Sequence, residues 1–239
     1  MFTCLSVCAS ETDERIESSA KQSYVFKTYL NNDTIKIQSK EGVVTLTGTV
    51  AEAPHKLLAE ETVASLPGVK SVDNQLEFVG DLPAENSDAW IGMKVKTLLL
   101  FKRNVSAVKT EVSVKDGIVT LKGLADNQAQ KDLSGEYAKD VEGVKDVKNE
   151  MILAALPAEP KQTMGEKIDD ASITTQIKIA LLWHRSTSAF RTGVETTDGV
   201  VKLTGRTTSA AGKDMVTKIA SDIKGVTEVI NNMIIVKGI

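Results

Sequence analysis

Apolar positions along this chain follow two rhythms in turn. Ile91, Val95, Leu98 and Leu99 fall at helical spacing, as do Ile173, Ile177, Ala180 and Leu181. Ile16, Ala20, Ser23 and Tyr24 give a weaker, more polar version of the same stripe. Short strands follow around Ile37, Val112 and Val194, and each runs into an acidic-glycine pair: Glu41-Gly42, Asp116-Gly117, Asp198-Gly199. An acidic-glycine pair between two β-type runs predicts a tight hairpin, because glycine accepts the positive φ of the turn. The second strand alternates. Val44 and Leu46 share one face, Thr45 and Thr47 the other, and Val119/Leu121 and Val201/Leu203 repeat the pattern. One face is therefore buried and one wet. A second helix carries Leu133, Tyr137, Ala138 and Val141 on one side, matched by Met215, Ile219, Ala220 and Ile223 and by Leu58, Thr62, Val63 and Leu66. Gly68, Gly143 and Gly225 end it, and a last strand follows, with Val72, Leu76 and Phe78 in the first copy.

These elements belong to one unit present three times. Gly42, Gly48, Gly68 and Asn74 recur as Gly117, Gly123, Gly143 and Asn149, offset by 75, and as Gly199, Gly205, Gly225 and Asn231, offset by a further 82. Leu46, Leu121 and Leu203 hold the register, as do Asp13, Asp88 and Asp170, each placed to cap the start of a first helix. The order α-β-β-α-β predicts an α+β fold: three tandem two-layer sandwiches, each with two helices on one face of a three-stranded mixed sheet. The hairpin strands are antiparallel, and the last strand is parallel to the second through a right-handed crossover. The modules are placed at 11–80, 87–154 and 169–237. Leu82-Pro83-Ala84-Glu85 and Leu156-Pro157-Ala158-Glu159 act as echoing, proline-stiffened linkers. Units of this size are marginal alone, so contacts between neighbours are expected to matter.

Charge changes the picture little. The net is −3 over 239 residues, which argues against a general nucleic-acid binder. Residues 13–79 carry a net of −3, 88–153 of +1 and 170–236 of +2, so the later modules meet an anionic surface with less repulsion. Both cysteines, Cys4 and Cys8, precede the first module, so no disulfide and no cysteine-based metal site is expected within the modules. Residues 1–10 are small and apolar. Val7-Cys8-Ala9 fits a signal-peptidase site, and the segment reads as the remnant of an export signal that begins upstream, with a disordered cytosolic start as the alternative. Leu5-Ser6-Val7-Cys8 approaches a lipoprotein box with Cys8 as acceptor, although Val7 is a poor residue there. No apolar run reaches transmembrane length.

The series Asp-x-x-Ile, Gly-Val-Val-x-Leu-x-Gly and Gly-Val-x-x-Val-x-Asn resembles the BON domain, a family named for an osmotically inducible periplasmic protein and for nodulation proteins. The resemblance is clearest at Asp170–Ile173, Gly199–Gly205 and Gly225–Asn231, close at Asp88–Ile91 and Gly117–Gly123, and weaker in the first helix of module one. It implies an αββαβ sandwich in a periplasmic or envelope setting, binding of phospholipid or envelope proteins, and no catalysis. Three copies depart from the usual pair.

Chemistry has little to stand on. His55 and His184 are at unmatched positions, too few for a three-histidine zinc site, and no cofactor or metal is expected. Gly48, Gly123 and Gly205 read as allowing a bulge or close approach of a helix. The candidate surface is the first helix of module two. Trp90, Met93, Lys94, Leu100 and Phe101 lie beside its core stripe, with Lys102 and Arg103 at its end, a combination suited to anionic lipid headgroups. Trp90 has no counterpart at Arg15 or Ser172. A tryptophan next to the Asp-x-x-Ile isoleucine resembles that of lipid-binding BON proteins and implies lipid contact at Trp90 and Ile91. Packing against a neighbouring module explains the same residues, and Trp183-His184-Arg185 and Phe26-Lys27 occupy the matching spots. The expectation is a non-enzymatic periplasmic or envelope protein that binds phospholipid membranes through Trp90, Ile91, Lys94, Phe101, Lys102 and Arg103 and supports envelope integrity or the response to osmotic stress. The alternative is a protein-interaction or chaperone-like scaffold.

Overall fold

A computed structural model describes residues 5–80, 83–105, 110–154, 168–187 and 192–236, with residues 5–10 described by backbone alone. The chain divides into two compact units, Met1–Leu82 with Lys167–Thr175 and Pro83–Glu166 with Gln176–Ile239.

The first unit runs α1 (Leu5–Gln22), α2 (Tyr24–Thr28), β1 (Thr34–Lys40), β2 (Val43–Val50), α3 (Ala53–Ala64) and β3 (Ser71–Phe78). β2 is central, antiparallel to β1 and parallel to β3. Ile16, Ala20 and Val25 from the first helices close on Ile37, Val44, Leu46, Leu58, Val63 and Leu76. Ser23 divides α1 from α2: its Oγ donates to Ala20 O and accepts from Phe26 N. The first helix begins at Leu5, not at Asp13. Cys4 lies outside the described residues, as does the side chain of Cys8, so lipidation at Cys8 rests on sequence alone. Asp169 and Ser172 also belong to this unit, accepting from Tyr24 N at 2.6 Å and Val25 N at 3.1 Å.

The second unit holds α4 (Asp88–Phe101), β4 (Thr110–Lys115), β5 (Ile118–Ala125), α5 (Gln128–Lys139), β6 (Asp146–Asn149) and β7 (Ile152–Leu153). Then come α6 (Asp170–Trp183), β8 (Thr192–Thr197), β9 (Val200–Thr207), α7 (Ala210–Ser221), β10 (Glu228–Asn231) and β11 (Ile234–Ile235). The residues of α6 up to Thr175 belong to the first unit. β4–β5 and β8–β9 are antiparallel hairpins. β6 and β7 run parallel to β5, and β10 and β11 parallel to β9. What the hydrophobic pattern predicts as one last strand is thus two short ones in each later module.

The repeated residues have specific roles. Glu41 and Gly42 have φ of 56° and 81°, and Asp116-Gly117 and Asp198-Gly199 match them, so each hairpin turns through two left-handed residues. The aspartates do not cap the helix. Ser87 caps α4, accepting from Trp90 N, and Asp169 accepts from Ser172 N. Asp88 instead accepts from Asp116 N and Gly117 N at 2.7 and 2.8 Å, and Asp13 from Glu41 N and Gly42 N at 2.8 and 3.0 Å. The carboxylate pins the hairpin turn to the first helix. Each asparagine ties the last strand to the second helix: Asn74, Asn149 and Asn231 donate to Lys56 O, Lys131 O and Lys213 O, and their Oδ1 atoms accept from the N–H two residues on. Gly48 makes room for a strand, not a helix, since a Cβ there would lie 1.9 Å from Thr34 O.

Candidate functional site

The six residues expected to meet lipid do not form one exposed surface. Trp90 is half-buried. Ile91 is buried, with its side chain against Gly143. Lys94 is 4% exposed and lays its stem inside, its Nζ reaching Glu142 Oε2 at 3.5 Å near the rim. Phe101 is fully enclosed, and Lys102 is 6% exposed. Arg103 turns its guanidinium into module three, donating to Ile223 O at 3.0 Å and Val226 O at 2.6 Å. The carbonyl of Phe101, the backbone of Lys102 and the guanidinium of Arg103 meet module three. The sequence signals cover on more than one side of α4, which is apolar almost all round, but not what provides that cover.

The contact is reciprocal. Arg103 N donates to Asp222 O and Lys224 N to Phe101 O, at 3.2 and 3.1 Å. Adding or subtracting 82 gives the other half: Arg185 N donates to Asp140 O and Glu142 N to Trp183 O, at 3.0 and 2.9 Å. Lys102 bridges Ile223, and His184 bridges Val141. Arg185 repeats Arg103, its guanidinium on Lys139 O and Val144 O. Modules two and three thus pair about a pseudo-two-fold axis through one self-complementary surface. Module one lacks the parts. Its counterpart of Arg103 is Thr28, and its counterpart of Glu142 is Pro67, which has no N–H to donate.

A cavity of about 70 Å³ lies on this junction, walled by α4, α5, α6 and α7. Its lining contains the pseudo-equivalent pairs Leu98/Ala180, Lys102/His184 and Asp140/Asp222. The Lys102 ammonium stands 4.6 Å from the centre of the Tyr137 ring. Burial lowers its pKa to about 8, against the pull of Asp222 and Asp140. Burial, with Asp222 beside it, holds the Tyr137 hydroxyl above its ordinary value. His184 Nε2 stands 3.8 Å from Asp140 Oδ2, and the ring holds that carboxyl below the usual range. Nδ1 of His184 accepts from Ser186 N at 3.1 Å, which leaves the proton on Nε2.

The other histidine is a structural clasp. His55 Nδ1 sits 2.7 Å from Asp33 Oδ2, while Asp33 Oδ1 accepts from Ala51 N and so anchors the entry to α3. Among the described residues, no group of three or more His, Cys, Asp or Glu side chains could hold a metal ion. No helix among them is long and apolar enough to cross a membrane.

The BON domain family matches this chain at residues 12–80, 87–155 and 169–237. Osmotically-inducible protein Y of Escherichia coli (strain K12) is 30% identical over 200 residues, 83% of this chain and 96% of that protein. An uncharacterized protein in the gshII 5′ region of Anaplasma centrale is 31% identical over 119 residues, 48% of this chain and 78% of that one. Among solved structures, CdsD, a structural protein of the type III secretion system of Chlamydia trachomatis, aligns over 94% of this chain and 92% of its own. The identity there is 18% and the TM-score 0.27.

Proposed function

The chain belongs to the BON domain family, and from that premise we propose that it is a non-enzymatic protein of the cell envelope, exported to the periplasm and serving in the response to osmotic stress. The observation that carries this reading is the co-linear match to almost the whole of an osmotically inducible protein. Deletion of the gene is expected to slow growth after a hyperosmotic shift, with the protein recovered in the periplasmic fraction. A cytoplasmic location with unaltered growth overturns it.

Its mode of action is binding, and we propose anionic phospholipid as the partner, met by the outer side of α4 where half-buried Trp90 and Met93 lie near exposed Lys96. The test is flotation with phosphatidylglycerol vesicles, followed by Trp90 emission in a Trp183→Phe background. Protein left in the soluble fraction with unshifted emission ends the lipid reading. Ile152 and Ile234, 64% and 63% exposed on the short strands β7 and β11, favour a second reading. In it those strands receive an extended segment of another envelope protein. Loss of a cross-linked partner in Ile152→Lys/Ile234→Lys, with flotation unchanged, selects it. An unchanged cross-link discards it.

A further inference from the structure

The junction cavity brings together a buried donor without a hydrogen-bond partner, His184 Nε2, and the ammonium of Lys102. Among the described residues no carboxylate lies at ion-pair distance from Lys102 Nζ; its charge is met by the Tyr137 ring at 4.6 Å and by the longer-range pull of Asp222 and Asp140. His184 is 7% exposed, and its Nε2, 3.8 Å from Asp140 Oδ2, makes no hydrogen bond. Buried polar groups are almost always paired, and an ammonium drawn into a mostly buried site carries a desolvation cost. These two groups occupy pseudo-equivalent positions, 82 residues apart, and line the same cavity. Apolar side chains complete the wall, with Leu98, Ala180 and Met215 among them.

Size and charge narrow the ligand. A cavity of about 70 Å³ accommodates on the order of five or six non-hydrogen atoms. Asp140 and Asp222 also line it, and they repel a dianion such as phosphate more than a monoanion. The apolar wall favours an alkyl part. We propose that this cavity is a binding site for a small aliphatic monocarboxylate, its oxygens taken by Lys102 Nζ and His184 Nε2 and its chain lying against Leu98, Ala180 and Met215. The site is independent of the lipid and peptide readings above, since it lies between modules two and three.

The groups that set the charge of Lys102 are Asp222, Asp140 and Lys218, with Tyr137 and His184 alongside. An ammonium lowered to about pKa 8 by burial is charged at pH 7 and largely neutral at pH 9. Carboxylate binding therefore weakens as pH rises.

The test titrates the full chain with sodium butyrate at constant ionic strength and follows the Met215 methyl resonance. A saturable shift with a dissociation constant on the order of millimolar is expected for so small a ligand. The affinity should fall at least tenfold in Lys102→Met, with an unchanged circular dichroism spectrum. In the unaltered protein it should fall roughly tenfold between pH 7 and pH 9, a measurement that stands even if the variant does not fold. A non-saturating shift, an affinity flat from pH 7 to 9, equal binding in a folded Lys102→Met, or equal binding of inorganic phosphate each overturns the proposal.

Discussion

Lys102 shows how a single side chain sets a pH dependence. Its folded pKa, about 8, lies below the ordinary 10.5, so folding excludes a proton at pH values between the two. Stability contributed at this site is lowest below pH 8 and rises towards pH 10.5, by an amount on the order of 3 kcal/mol. Lys102→Met is expected to raise the melting temperature at pH 7 and to flatten that rise, as measured by thermal denaturation across pH 7–10.5. Asp13 runs the other way. Its hydrogen bonds, Ser39 first and then the turn amides, hold its carboxyl below the usual 3.8, so its contribution is present above that pH and is lost on acidification. Asp13→Ala is expected to lower the melting temperature at pH 7 and to bring it closer to the value at pH 3. The repeat made these aspartates legible as fixed positions. It did not make their role legible, because spacing along the chain does not say which backbone groups a side chain meets across the fold.

At the level of elements, the hairpins, the helix stripes and the parallel last strand could be read from periodicity and turn chemistry, because local rules decide them. Two features could not. The glycine inside β2 faces a neighbouring strand, a contact set by tertiary approach. With φ of 118° and a Cβ only 1.9 Å from Thr34 O, Gly48→Ala is expected to destabilise the first unit by on the order of 3 kcal/mol. Denaturant titration should show a lowered midpoint with an unchanged slope. The second feature is α4. A core stripe at Ile91, Val95, Leu98 and Leu99 was visible, but Lys102 and Arg103 at its end find their partners in module three. Whether an apolar helix face meets lipid or protein depends on what stands beside it, and a single helical pattern carries no such information.

For the whole molecule, threefold repetition does not give three equivalent parts. Arg103 and Arg185 each reach carbonyl groups of the opposite module, so modules two and three should unfold together. Arg103→Ala leaves Ile223 O and Val226 O without that donor. It is expected to lower the transition of the second unit by about 1–3 kcal/mol while leaving that of the first in place, as read by hydrogen exchange. The parts of this pairing stand in the sequence of modules two and three, at Arg103, Arg185 and Glu142, and module one has Thr28 and Pro67 at the matching positions. The choice of partner became readable only once the exchanged contacts were seen.

The 82-residue exchange also bears on ancestry. Each of the two later copies is the surface against which the other is tested, so a change at Arg103 is felt at Ile223 and Val226, and one at Arg185 at Val144. A substitution in one stretch is therefore expected to call for a compensating one in its twin. The first copy, with Thr28 and Pro67 at the matching positions, lacks this particular restraint.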